Sequence, residues 1–290
     1  MKRSLLTLSD ARTLEYTTNE IESSSAVILH AGTTQDIEGW STWHEKFAQQ
    51  GVRSVSFGRS GYAASSKKPG RITVDVVKDI SELADELGIT RMVNLGLSGG
   101  GQHAIALGLE PRTVGVVTVG SLAPFAELGQ DFYKGMQQVD IDEYADALRD
   151  INDLVTRFKG WLNPEVTDPI MGIEISERDK LSQQSPTWPA LMNSCTFTMK
   201  QGFDWVADDY SSYLQPWGFE PRDVTVPVVI WQGELDKNVP VVHGEWLSRN
   251  LPNNRYELRK DESHIGIFIN YEDEIIQSAV NLLNKNALDN

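Results

Sequence analysis

The chain has 290 residues, 40% hydrophobic and 23% charged, a composition that fits an ordinary globular protein and excludes a disordered or collagen-like one. Lys and Arg number 26 against 41 Asp and Glu, so the net charge is −15, which makes nucleic acid an unexpected partner because the field repels phosphate backbones. A single cysteine, Cys195, excludes an intramolecular disulfide and any cysteine-based zinc cluster.

At roughly 150 residues per domain the length suggests two domains, although one α/β fold can also run this long. Residues 4–8 and 12–17 flank Ser9-Asp10-Ala11 as a β-hairpin would. The three leucines after Met1-Lys2-Arg3 are too few for the apolar part of a secretory leader. No window reaches the roughly 18 uninterrupted apolar residues of a transmembrane helix, so the expectation is a soluble cytoplasmic protein acting away from membranes.

Ala26–Leu29 is a short apolar run suited to a buried strand, followed by a turn at Gly32-Thr33-Thr34-Gln35. Trp40, Trp43 and Phe47 have helical spacing up to Gly51, and Val52–Phe57 reads as a strand. Thr73 is the expected cap of a helix carrying Val74, Val77, Leu83, Ala84 and Leu87 on one face. Then come a strand at Met92–Leu97, a helix at Gln102–Leu109 and a sixth strand at Val114–Val119. This alternation predicts a parallel sheet covered on both faces.

From about Ser121 to residue 220 the segments are helical or loop-like and rich in large aromatics, among them Phe132, Trp161, Trp188, Trp205, Tyr210, Tyr213 and Trp217. Part of this set is expected in a core and part in a pocket wall. The acidic runs Asp140-Ile141-Asp142-Glu143 and Asp208-Asp209 read as solvated surface. Strand and helix patterns resume at Val226–Trp231, Val242–Asn250, Arg255–Arg259 and Glu272–Leu283. The expected division is therefore a core of residues 1–122 and 221–290 interrupted after the sixth strand by a helical cap over 123–220.

The most informative segment is Gly96-Leu97-Ser98-Gly99-Gly100-Gly101, a G-x-S-x-G pattern between a predicted strand and a predicted helix. In a nucleophile elbow the serine sits on a tight turn that demands small neighbours, here Gly96 and Gly100. The Gly99 N–H at the helix start is then the natural oxyanion donor. A dinucleotide fingerprint fits poorly, because Ser98 occupies the position where the backbone must approach pyrophosphate. A serine hydroxyl needs a base and an orienting carboxylate. Among the five histidines, His30 and His44 precede the serine, His103 lies on its helix, and His243 opens a later helix. Only His264 falls in the loop after the last predicted strand, in Asp261-Glu262-Ser263-His264-Ile265-Gly266. Asp236 follows the Val226–Trp231 strand and is the candidate acid, with Glu234 the alternative. The histidines are scattered and His-Glu-x-x-His is absent, so neither a metal nor a cofactor is expected.

With Arg59-Ser60-Gly61-Tyr62, Pro216-Trp217-Gly218-Phe219 and Trp231-Gln232-Gly233-Glu234-Leu235-Asp236, the elbow makes the chain resemble the lid-bearing bacterial α/β-hydrolases along nearly its whole length. The resemblance implies an α/β-hydrolase fold, catalytic roles for Ser98, Asp236 and His264, and a second oxyanion N–H after the Ala26–Leu29 strand. Aligning Gly32 with the family's His-Gly pair points to Thr33. Ala31 stands where the family has histidine, Gly58 where it has aspartate and Ala63 where it has glycine. The expected activity is cleavage of a small ester, thioester or amide through an acyl-enzyme. Two alternatives are a cofactor-free lyase or oxygenase using the His/Asp pair as base, and a non-catalytic receptor for a small molecule.

Overall fold

The computed structural model describes residues 2–161 and 177–285. The predicted hairpin forms from β1 (Ser4–Thr7) and β2 (Thr13–Thr18), with Leu6 opposite Leu14. Strand β2 runs antiparallel to β4 (Arg53–Phe57). All other pairings are parallel, through β3 (Ser25–His30), β5 (Arg91–Leu97), β6 (Thr113–Val119), β7 (Val228–Gly233) and β8 (Asn254–Arg259), in the order β1-β2-β4-β3-β5-β6-β7-β8.

The central strands are mainly apolar because both sheet faces are covered, with the buried polar residues His30, Ser54, Ser56, Asn94 and Thr118 among them. Ala26, Ile28 and Met92 point toward α2 (Val76–Glu86) and α3 (Gly101–Ala106), meeting Ile80, Leu83 and Ala106. Val27, Leu29, Val93 and Leu95 point the other way, onto Trp43 and Phe47 of α1 (Ser41–Gln49) and onto Ile275 and Ile276 near the carboxyl end. The sequence places Thr73 as a helix cap, but a 3-10 turn over Thr73–Asp75 precedes α2. The Asp75 carboxylate accepts the Ile72 N–H at 2.7 Å, while Thr73 Oγ1 accepts from Gln102 Nε2 at 3.0 Å.

Chain order reverses between β3 and β5: β3 leads through α1 to β4 on one side, and β5 lies on its other side. In such sheets the crevice beyond the carboxyl ends at this point is where ligands bind. Residues Gly32–Gln35 leave β3 there and Ser98 leaves β5.

Between β6 and β7 the described chain is helical: α4 (Phe125–Leu128), α5 (Gln138–Arg149), α6 (Ile151–Trp161), α7 (Glu177–Ser182), α8 (Thr187–Gln201) and α9 (Asp204–Leu214). Residues 162–176 of the expected cap lie outside the described residues. Phe132, Tyr144, Leu154, Phe158, Trp205 and Tyr210 of this stretch pack together in one cluster with Tyr62, Leu122 and Val239. Edge-on contacts such as Phe158 on Trp205, 5.3 Å between centroids, fit the preference of aromatic rings for T-shaped packing. The chain ends with α10 (Val241–Asn250) before β8, and α11 (His264–Asn270) and α12 (Glu272–Asn284) after it. Among the described residues no helix is long and apolar enough to cross a membrane.

Candidate active site

Ser98 sits at the junction predicted from G-x-S-x-G. Leu97 ends β5 in extended backbone, Ser98 has φ of 53°, and helical geometry follows at once. A left-handed residue that is not glycine costs roughly 1–2 kcal/mol, so the surroundings must hold it. The glycines explain how. A Cβ on Gly96 would lie 2.5 Å from the Gly100 oxygen, and one on Gly100 would lie 2.3 Å from the His30 oxygen. Each contact is with backbone that cannot step aside, so glycine is the residue these positions admit. Gly99 N–H falls in the first turn, where no intrahelical acceptor exists. Thr33 N–H, in the loop from β3, donates to no partner among the described residues.

His264 Nδ1–H donates to Asp236 Oδ2 at 2.7 Å, which fixes the ring tautomer and leaves Nε2 as the basic nitrogen. The sequence places His264 in a loop. The structure makes it the first residue of α11, because Ser263 caps that helix by accepting the Gly266 N–H at 3.0 Å. Asp236 Oδ1 accepts the backbone N–H groups of Asn238 and Val239 at 3.0 and 2.8 Å, so the carboxylate is held from both ends. Glu234, the alternative acid, is exposed. Gly120, which sequence reasoning passed over, follows β6 with φ of 53°, and a Cβ there would lie 2.9 Å from His264 Nδ1 and 3.1 Å from Asp236 Oδ2. Its signal was a glycine directly after a buried strand.

Ser98 and His264 line one cavity of about 190 Å³, together with Thr33, Leu122, Tyr144, Phe158, Trp161, Trp188, Tyr210 and Tyr213. The structure thus brings His264 and Asp236 into contact and puts Ser98 on the same cavity wall. Ser98 Oγ makes no hydrogen bond among the described residues. Such catalytic contacts are often long before substrate binds.

The other four histidines are buried and held neutral. Burial pushes His30 down to about 3, beside Asn94, and His44 down to about 4, between Ser54 and Ser56. His243 is likewise pushed to about 4, its Nε2 2.9 Å from the Phe132 oxygen. His103 is lowered by burial and by the charges of Arg59 and Arg71, with Nδ1 3.3 Å from the Thr73 oxygen. Among the described residues no three His, Cys, Asp or Glu side chains group as a metal ion requires.

Two sequence expectations are corrected here. Asp209 is not solvated: it is fully buried, and Arg59, Arg71, Tyr62 and Tyr213 all donate to its carboxylate. Burial favours its neutral form, but the two guanidinium charges outweigh this and hold the carboxyl below its usual range. The cluster reaches the loop after β3 twice. Arg59 donates to the Ala31 carbonyl, and the Tyr213 hydroxyl lies 2.8 Å from Thr33 Oγ1. Asp140 and Glu143 are also not a solvated face, because both line the cavity. A single sequence could not reveal these partners: Asp209 meets Arg59 across 150 positions.

A family model described as alpha/beta hydrolase fold matches residues 25–271, and the chain belongs to that family. Solved structures similar over the whole chain include an enol-lactonase from Burkholderia xenovorans, at 17% identity and a TM-score of 0.69, covering 97% of this chain and 99% of that one. An esterase from Exiguobacterium antarcticum aligns at 16% identity and a TM-score of 0.68, with coverage of 97% and 99%. A bromoperoxidase from Bacillus anthracis aligns at 18% identity and 0.65, again with 97% and 99% coverage. At such identities the likeness establishes the shared fold.

Proposed function

We propose that the protein is a serine hydrolase that cleaves a small ester, thioester or amide through an acyl-enzyme. The observation that carries this reading is the Asp236–His264 hydrogen bond in the wall of the cavity that also holds Ser98 on its strained turn. In this mechanism His264 Nε2 takes the Ser98 proton as Oγ attacks the substrate carbonyl. Gly99 and Thr33 N–H groups receive the charge that develops on the carbonyl oxygen. His264, now cationic and supported by Asp236, protonates the leaving group. Water then enters and gives its proton to His264 as its oxygen attacks the acyl carbonyl, and His264 returns that proton to Ser98 Oγ as the acid is released.

Residues 123–220 serve as the cap in this account, with 1–122 and 221–290 as the catalytic core. The cap aromatics supply apolar walls that exclude bulk water from the reacting atoms. The relatives named esterase and lactonase support carbonyl hydrolysis as the reaction type.

The test is a series of p-nitrophenyl esters of increasing acyl length, with Ser98→Ala as the blank. Turnover by the native protein, falling by at least about 10³-fold in Ser98→Ala, is the expected result. Equal turnover by the variant defeats the proposal. A lyase or cofactor-free oxygenase, the alternative chemistry of a His/Asp base, would keep its activity without forming an acyl-serine.

A further inference from the structure

The cavity has a second polar region that the acyl-transfer machinery does not use. Asp140, Glu143 and Tyr144 fall at i, i+3 and i+4 of α5 and so share one helix face, turned into the cavity. Asp140 Oδ2 accepts from Gln137 Nε2 at 2.9 Å and from Asn238 Nδ2 at 3.0 Å. Asn238 is two residues from Asp236, so this region is joined to the candidate catalytic loop. Glu143 Oε2 accepts the Tyr210 hydroxyl. The remaining oxygens, Asp140 Oδ1 and Glu143 Oε1, have no hydrogen-bond partner among the described residues. Nor has the hydroxyl of Tyr144, a residue only 5% exposed. The Tyr144 hydroxyl therefore faces the cavity beside two carboxylates that each keep one oxygen unpartnered among the described residues. None of the described residues lining the cavity is Lys or Arg.

We propose that Asp140, Glu143 and Tyr144 form a subsite for an alkylammonium group, so that the substrate opened at Ser98 carries a protonated amine. The chemistry fits in three ways. An ammonium carries three donors, matching the three unpartnered oxygens in number. The rings of Tyr144, Phe158, Trp161 and Tyr210 line the same cavity, and an aromatic face attracts a cation. A net charge of −15 also steers cations toward the protein and anions away. The substrate identity rests on the hydrolase reading above, but the subsite itself does not.

Its titration gives a distinctive readout. In the unliganded cavity burial, reinforced by the Asp140 charge, pushes Glu143 up to about 8. The groups facing it are Asp140 and Asp146 of its own helix, Tyr210 of α9 and Arg157 of α6; Arg157 is itself paired with Asp146 at 2.7 Å. Burial also raises Asp140 to about 6, against the opposing charge of His264 and with the reinforcing charge of Asp236. At pH 7 Glu143 is therefore mostly protonated, and an arriving ammonium displaces that proton. Affinity for the cation should rise as pH climbs toward about 8 and then level off.

The experiment is calorimetric titration of the intact protein at pH 7 with 2-phenylethylammonium and with its neutral counterpart 2-phenylethanol, in two buffers of different ionisation enthalpy. The expected result is at least about tenfold tighter binding of the ammonium, with release of close to one proton. Glu143→Gln should abolish the proton release and most of the preference while still binding the alcohol, which also reports that the variant is folded. Binding of the alcohol as tightly as the ammonium, no binding of either at millimolar concentration, or proton release unchanged in Glu143→Gln overturns the proposal. Because nothing is turned over, these results are independent of the ester assay: either reading can fail while the other stands.

Discussion

Replacing Asp209 by Asn tests whether the buried ion cluster holds helix α9 to the segments that carry Arg59, Tyr62 and Arg71. The carboxylate is fully buried, and Arg59 and Arg71 are 3% and 6% exposed, so neither cation can turn to water when its partner loses charge. Arg59 Nη2, Tyr62 Oη and Tyr213 Oη donate to Asp209 Oδ2 at 2.6, 2.5 and 2.9 Å, and both arginines donate to Oδ1. An amide of the same size keeps at most part of this pattern and turns an N–H₂ toward groups that are themselves donors. Removing one partner of a single buried pair costs about 3–5 kcal/mol, and here two cations lose the same partner. The loss on urea unfolding should therefore reach at least about 3 kcal/mol. The sign with pH follows from the depressed carboxyl: its stabilisation is present above its unfolded value of about 4 and is lost as pH falls through the lower folded value. The gap between native protein and Asp209→Asn should consequently be full at pH 7 and close in strong acid. A difference below about 1 kcal/mol at pH 7 would refute the reasoning.

Three further outcomes follow from the same geometry. Asp236→Asn should leave the fold intact but lower kcat by about 10⁴-fold, since the amide no longer fixes the His264 tautomer. Gly96→Ala should cost about 1–3 kcal/mol or more by thermal unfolding, because its methyl would lie 2.5 Å from the Gly100 oxygen; loss below 0.5 kcal/mol would show that the elbow relaxes freely. If Thr33 supplies the second oxyanion N–H as proposed, Tyr213→Phe should reduce kcat by about tenfold with little change in KM, because Thr33 Oγ1 loses its partner and the loop after β3 a tether. An altered KM with unchanged kcat would assign Tyr213 to substrate binding instead.

The parallel sheet was readable because buried strands such as Ala26–Leu29 and Val114–Val119 are largely apolar runs, and because the helices between them keep their spacing. The elbow was readable for a different reason. Four glycines around Ser98 are wasteful unless a tight turn demands them, and the clashes at Gly96 and Gly100 are that demand. What stayed hidden depends on contacts between residues far apart. Ser263 capping a helix at Gly266 was visible in principle, yet the segment was read as the loop that follows the last strand. Asp208-Asp209 and Asp140–Glu143 read as solvated surface because acidic residues normally are; only packing against Arg59, Arg71 and Tyr210 reverses that default.

The central claim, that Ser98 is a nucleophile activated by His264, is tested most directly by covalent capture. The native protein should gain the mass of one phosphonyl group when incubated with a fluorophosphonate, with the adduct mapping to the Ser98 peptide and His264→Ala slowing its formation by orders of magnitude. An unmodified Ser98 under conditions that label a known serine esterase completely, or an adduct that forms equally fast without His264, would contradict the account.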